Sequence, residues 1–451
     1  MLPPTLVDET LREGDSRGYH PHSAADRLGL IQNIHQITGI EHFCLGMAVT
    51  SRTDYETLTL AVAAVEAGTL PAGFRAHVFS MHEIAAPTRD FLASLSAAQR
   101  RHVIIDYAIT ATAPGQRPMA EPWLNHLDAR TGALREGDPG VADADRIAQR
   151  SRWLGEALDR LRLLGQLALG VIVQDAFRCP LVELCTLVEA ALQGGAHAVR
   201  LHDTVGVATP ERAAQRITAL LQRFPGAELY VHFHNDFGLA TANTLAGLAA
   251  GAAGADVCAT GLGNRAGNAR TAEVVMALKH LYNVALPGVR FERLTELARD
   301  VERHFRLADS PVAPITGRLL HVDEASIRTH AMEAGYQAFF LPYPPSAVGG
   351  RLEAAHSDSS GRQSVFLLLQ RHGAALAGQH IAFDDGLVDR AFAWLTRQRL
   401  SRAGQAPHAW SHYERYVAEL RQTYVTDDDV VKACLRTQGS FADPGEPPGP
   451  A

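Results

Sequence analysis

The chain has 451 residues, 46% hydrophobic and 20% charged, which is more than a single core holds and predicts a large catalytic domain with an appendage. A net charge of -7 offers no basic face to a phosphate backbone, and no apolar run is long enough to cross a bilayer, so neither nucleic acid nor membrane is an expected partner. Met1 leads through a Pro pair into a polar stretch without a secretory apolar segment, and Cys44, Cys179, Cys185, Cys258 and Cys434 are scattered with no CxxC. The expectation is a cytoplasmic protein with reduced thiols.

From residue 5 to about 285, short β-branched runs alternate with longer Ala/Leu/Arg segments of helical period, the pattern of parallel strands joined by crossover helices. Strands are predicted at 5–8, 42–45, 75–79, 103–107, 170–173, 198–202, 228–234 and 256–260. Eight such units over this length predict an α/β fold, a (β/α)8 TIM barrel spanning residues 1–285. The stretch 113–143, rich in Pro, Gly and charge, is too long for a plain connection and is expected to decorate the catalytic end of the barrel. Past 286 the rhythm stops. Residues 286–362, with a helix near 291–305 and a Pro-rich segment at 342–345, are expected to form a linker or lid that completes the active site. Residues 363–438 then form a smaller helical subdomain, and 439–451, with four Pro and three Gly, a disordered tail.

Four clusters carry possible chemistry. In Val231-His232-Phe233-His234 the histidines are two apart on a strand, so both imidazoles face the same way, as a divalent metal requires. The bland alternative is a pair of core histidines satisfying hydrogen bonds. At Asp8 to Asp15 the first strand gives way to its loop, where Glu13 could supply an oxygen ligand and Arg12 a fixed positive charge for a developing oxyanion; a solvated loop is the alternative. Thr260 to Asn268 is a Gly-rich turn after the eighth strand, readable as a tight turn or phosphate loop, with Asn268 a further possible metal ligand. In Arg200-Leu201-His202-Asp203-Thr204 the alternate residues Arg200, His202 and Thr204 share one face and would make an anion pocket, unless Arg200 sits low in the barrel and pairs with a carboxylate.

Together, DETLREG at 8–14, LHDTVGVATP at 201–210, HFHNDFGLATAN at 232–243 and GLGNRAGN at 261–268 resemble the isopropylmalate and homocitrate synthase family, within the wider group of barrel enzymes that includes HMG-CoA lyase. The resemblance implies Claisen condensation of acetyl-CoA with a 2-oxo acid in a homodimer. Glu13, His232, His234 and Asn268 would hold a divalent metal (Mg, Mn, Co or Zn), Arg12 would polarise the ketone, and Thr204 would hold the substrate carboxylate. The chain departs from the family at strand 5, where Gln174 replaces a Glu and Gly170 replaces the Arg of homocitrate synthases. After the barrel, Ile327-Arg328 aligns where the family has Gly-Ile-His, leaving His321, Arg328 and His330, with Gln174 and Arg12, as the catalytic candidates. Phe340, flanked by Tyr336 and Tyr343, stands for the family Tyr. His202 stands where the family has a small or nonpolar residue. With Arg75 and His77 it is expected to form a basic wall selecting an acceptor with a second anionic group on a short arm, such as oxaloacetate, phosphonopyruvate or phosphinopyruvate. Homocitrate or isopropylmalate synthesis, an HMG-CoA-lyase-like cleavage, and a degenerate scaffold protein are the competing readings.

Overall fold

The computed structural model describes residues 2–15, 22–46, 51–80, 91, 93–111, 143–162, 168–323, 328, 331–354, 361–371, 373–378 and 382–403. The tail at 439–451, Cys434, His330 and the decorating stretch up to residue 142 lie outside the described residues. Eight parallel strands close into a barrel in sequence order: β1 (Thr5–Asp8), β2 (His42–Cys44), β3 (Arg75–Ser80), β4 (Val103–Thr110), β5 (Ala168–Gln174), β6 (Ala198–Asp203), β7 (Leu229–Phe233) and β8 (Gly254–Val257). The circle is completed where Thr5 to Asp8 pair with Gly254 to Val257. This is the TIM-barrel fold. Strands such as Val171-Ile172-Val173 are apolar without alternation because helices cover their outer faces.

The helices are α1 (Thr10–Asp15), α2 (Ala24–Thr38), α3 (Arg52–Glu66), α4 (Ala97–Arg100), α5 (Asp143–Arg162), α6 (Leu181–Gln193), α7 (Pro210–Arg223), α8 (Ala240–Ala249), α9 (Thr271–His280) and α10 (Leu294–Phe305). Their ends follow local chemistry. Ser23 and Asp26 cap α2 reciprocally, and Gly39, at φ 68°, ends it by returning its N–H to the His35 carbonyl. Thr209 caps α7 with Pro210 in its first turn. The spacing of Leu30, Ile31, Ile34 and Ile37 buries one stripe of α2, and Arg27 reaches α3 through an ion pair of 2.8 Å with Asp54.

One continuous apolar core lies between strands and helices, while inside the barrel Phe79, Ala108 and Ile172 form a small separate cluster among the described residues. Apart from apolar residues such as Val7 and Ile104, in register with Asp256 and His77, much of the described interior is polar, which places the chemistry there. Strand β8 begins and ends earlier than predicted: Gly254 already pairs with Thr5, and Cys258 leaves the ladder to bridge to Arg270.

The chain divides into two compact units, one of residues 1–17, 22–322 and 341–352, the other of 18–21, 323–340 and 353–451. The segment 286–362 is thus shared between them. The second unit contains helices α11 (Gly361–Arg371), α12 (Gly373–Gly378) and α13 (Asp385–Ala403), with Arg362 on α11 bonded to Asp385 and Asp389 on α13. No helix among the described residues is long and apolar enough to cross a membrane.

Gly39 is the tightest requirement of the first β/α connection. A methyl group there would lie 2.9 Å from the Gly288 Cα, on a backbone already at positive φ. Gly39→Ala is expected to lower stability by about 1–3 kcal/mol, read as a reduced urea midpoint at unchanged slope.

Candidate metal centre

The centre is assembled at the C-terminal ends of the strands. After β1 the chain turns directly into α1, whose first turn, closed by Glu13 N–H to Glu9 O, projects Arg12 and Glu13 over the barrel. His232 is on β7 and faces inward. His234 lies just past the strand end, in an isolated antiparallel bridge to Asn268, and this bridge is what carries the Gly-rich turn across the barrel mouth. Gly263 lets that turn pass Asn268: an added methyl would collide with the Asn268 Oδ1.

One ligand atom each from Glu13, His232 and His234 lies within 4.8 Å of the others, and all three residues are buried. The two imidazoles meet at 3.4 Å between their Nε2 atoms, and Glu13 Oε1 is 3.7 Å from His232 Nε2. Asn268 places Nδ2 at 3.1 Å from His232 Nε2 and leaves its Oδ1 buried without a hydrogen-bond partner. The two ends of an amide are isosteric, so a half-turn of this side chain exchanges an N–H facing two imidazoles for an oxygen facing them. A divalent cation fits this donor set, two nitrogens and one carboxylate with an amide oxygen in reserve, and these four residues would hold it.

Surrounding groups fix the protonation states. Burial would raise the Glu13 carboxyl, but Arg12, at 2.6 Å, and the two imidazoles outweigh it and hold it at about 2. Burial pushes His232 down to about 4 against the pull of Glu13 and Glu9, and burial together with His232 pushes His234 down to about 3. The metal-free site is therefore a carboxylate and two neutral imidazoles, as ligation requires. Asp256 accepts from His232 Nδ1 at 2.9 Å, which turns Nε2 toward Glu13. Asn264 donates to Glu13 Oε2 at 3.0 Å. Arg12 itself is one-fifth exposed, bonded to Glu9 and Glu13, and lies over the Phe79 ring at 5.1 Å.

The other predicted residues scatter. Gln174 ends β5 and accepts from the Thr110 hydroxyl at 2.9 Å. Thr204 accepts the Asp175 amide at 2.8 Å on its hydroxyl and the Arg265 guanidinium on its carbonyl. His202 is buried and stacked on His232, 4.0 Å between ring centroids, with its Nε2 unpartnered. Burial and the neighbouring cations push it well below the ordinary histidine range, so it is neutral.

The basic wall of Arg75, His77 and His202 does not assemble. Arg75 opens β3 at the opposite end of the barrel and donates to Ala72 O and Phe74 O. His77 lies lower than His202, between His42 at 3.0 Å and Asp106 at 2.8 Å. Arg200 is held below the centre by Asp106 at 2.7 Å and Asp256 at 3.1 Å, the alternative that the sequence left open.

His321 lies beside Tyr343, whose ring also meets His280 at the end of α9, which is the far end of the barrel from the metal cluster. Arg328 is exposed in the second unit.

Sequence reasoning passed over Asp256, Asp106, Glu9 and Asn264. Asp256 carried a signal, a lone carboxylate in the otherwise apolar run Gly254-Ala255-Asp256-Val257-Cys258-Ala259. Asn264 carried none beyond its place in the turn.

Residues 140–301 match the HMGL-like family model. The chain is 39% identical over 200 residues to a probable 2-isopropylmalate synthase of Ignicoccus hospitalis, covering 44% of this chain and 50% of that protein. It is 37% identical over 203 residues to the 2-phosphonomethylmalate synthase of Streptomyces rubellomurinus, covering 45% of this chain and 54% of that one. The chain thus spans about half the length of the curated relatives it matches. The crystal structure of HMG-CoA lyase from Brucella melitensis superposes with a TM-score of 0.50 at 20% identity, over 68% of this chain and all of that one, a likeness of fold.

Two measurements test the centre. Asp256→Asn is expected to weaken metal binding about 10–100-fold, since the imidazole loses its orienting carboxylate. In the native protein, Co²⁺ affinity is expected to fall by less than about tenfold between about pH 7.5 and 5.5, the small loss coming from Asp256, whose carboxyl burial lifts to about 6. Two histidines of ordinary pKa would charge as pH falls through 6.5 and lose roughly 100-fold over that interval, whereas here the charging is deferred to below about 4. Calorimetric titration at both pH values reads it. A closed parallel barrel and a buried two-histidine, one-carboxylate cluster at its C-terminal mouth thus stand beside a likeness to the HMGL-like family that extends over residues 140–301.

Proposed function

We propose that the protein is a divalent-metal-dependent acyltransferase that condenses the acetyl group of acetyl-CoA with the ketone of a 2-oxo acid. The observation that carries this reading is the convergence of Glu13, His232 and His234 on one point at the mouth of the barrel. The names of the relatives, a 2-isopropylmalate and a 2-phosphonomethylmalate synthase, support the same chemistry over the half of their lengths that is matched.

In the reaction the acetyl methyl group loses a proton and its carbon attacks C2 of the 2-oxo acid. The ketone oxygen takes a proton to become the 2-hydroxyl, and water cleaves the thioester to a carboxylate and the free thiol of CoA. A divalent cation held by Glu13, His232, His234 and Asn268 supplies Lewis acidity toward the ketone. Arg12 contributes a fixed positive charge beside the carbonyl under attack, and its position is set by Glu9, Glu13 and the Phe79 face. Asp256 keeps His232 in the tautomer with Nε2 free to bind. Thr204 is held to the tip of β5 by the Asp175 amide, which donates to its hydroxyl oxygen and leaves the hydroxyl proton to meet a substrate carboxylate.

The test is release of CoA thiol by purified protein given acetyl-CoA and a panel of 2-oxo acids. Turnover with at least one acceptor, its loss in EDTA and its return with Mg, Mn, Co or Zn are expected. His234→Ala should lower turnover by more than about 100-fold. Absence of metal-dependent thiol release with every acceptor would overturn the proposal.

A further inference from the structure

The inward side chains of β4 to β7 form a row at the level of the metal-site histidine. Thr110 lies opposite Gln174, and His202 lies opposite His232. Val173 pairs with Leu201, so Gln174 and His202, the next residues along, are neighbours across β5 and β6. Gln174 shares its face with Ile172, and Thr110 with Ala108, both of which belong to the cluster inside the barrel.

One level lower the barrel is closed. Ala108, Ile172, Arg200 and Tyr230 follow one another in register. Ile172 and Ala108 pack with Phe79, while Arg200 is pinned by Asp106 and Asp256 and lies over the Tyr230 ring. A substrate arm directed into the barrel from the metal centre therefore meets a floor about one residue pair below the row.

The row itself is a set of hydrogen-bonding groups without a negative charge: a hydroxyl, an amide and two imidazoles. His202 is 4% exposed, and its Nε2 has no partner, an arrangement that is unfavourable unless something else bonds there. His202 stands beside Gln174 in register, so the orphan and the amide lie on adjoining strands at one level. An alkyl arm would leave both groups unsatisfied, and a second anionic group would find two donors and no carboxylate in the row.

We propose that Gln174 and His202 are specificity-determining residues, which select a 2-oxo acid whose arm is short and ends in an anionic oxygen group such as a carboxylate or phosphonate. This rests on the condensation reading above. It replaces the basic wall with hydrogen-bonding groups: recognition comes from hydrogen bonds supplied by Gln174 and His202, and arm length from the floor beneath them.

The experiment compares kcat/KM for oxaloacetate, 3-phosphonopyruvate, 2-oxoglutarate and 2-oxoisovalerate in the wild type and in His202→Leu, His202→Gln and Gln174→Glu, with the Co²⁺ affinity of each protein measured alongside. The wild type is expected to favour oxaloacetate or 3-phosphonopyruvate over 2-oxoisovalerate by about 100-fold, and over the longer 2-oxoglutarate by at least about tenfold. His202→Leu should cut the first ratio at least about tenfold with Co²⁺ affinity kept within about threefold, and His202→Gln should restore part of it. Gln174→Glu, at the half-exposed strand end, should cut the same ratio by placing a like charge beside the arm.

Ratios that do not move in His202→Leu and Gln174→Glu overturn the inference, as does wild-type preference for 2-oxoisovalerate or 2-oxoglutarate; in either case the condensation reading stands. A collapse of Co²⁺ affinity in His202→Leu that accounts for the whole loss reduces His202 to a prop for His232 and also overturns it. Absence of thiol release with every acceptor removes the condensation reading and the inference together.

Discussion

A carboxylate and two imidazoles buried at one point must be ionised and neutral, respectively, before they can share a cation, and burial works against the first while favouring the second. The neighbours of the centre resolve this opposition. Arg12 offsets the desolvation of Glu13, and the dry surroundings keep His232 and His234 uncharged. The positions of these groups follow from the barrel: a strand end for each histidine, one helical turn for Arg12 and Glu13, and a glycine-bearing turn for Asn268. Each element is placed by its own packing, so Glu13, His232 and His234 already converge in the absence of a cation.

Beneath the ligands the interior carries a second layer of charge. Arg200 holds Asp106 and Asp256 together, and Asp256 in turn holds His232. A buried guanidinium with two carboxylates is a poor source of stability, since desolvation consumes most of the attraction. Its value lies in geometry. Three strands, β4, β6 and β8, are tied to one planar group, and the orientation of the His232 imidazole is fixed by one of the carboxylates bound to that group.

How much of this could be read from the chain depended on which periodicity carried the information. The repeat of strand and helix specified the barrel, and the two-residue period of β7 put His232 and His234 on one side. Cα register across strands is set by barrel closure and leaves no trace in one strand's sequence. That is why Arg75, His77, Arg200 and His202, all plausible partners by face, fall at different heights: Arg75 at the far rim, His77 and Arg200 in the buried network, His202 beside the centre. The carboxylates Asp106 and Asp256, which decide where the cationic side chains go, sit in strands that otherwise read as plain apolar core. Their partners are 94 residues away for Asp106 and 24 for Asp256, beyond any local pattern.

The balance of charge inside the barrel bears on what it is built to hold. Around the centre lie four buried carboxylates, Glu9, Glu13, Asp106 and Asp256, against two guanidiniums, Arg12 and Arg200. His42, His202, His232 and His234 are pushed toward neutrality and add nothing to the positive side. Asp8 stands apart, its carboxyl bonded to Thr10 and raised by burial to about 7. Fully ionised, the four acids exceed the two bases by two charges. Burial lifts Glu9 above its ordinary value and Asp256 to about 6, so protonation of Asp256 relieves part of this surplus as the pH falls toward 6. A divalent cation beside Glu13 would offset the surplus, favour the ionised form of Asp256 to lower pH, and thereby strengthen the hydrogen bond that orients His232. Ligand binding and ligand orientation are then one coupled equilibrium, in which the cation stabilises the arrangement that receives it.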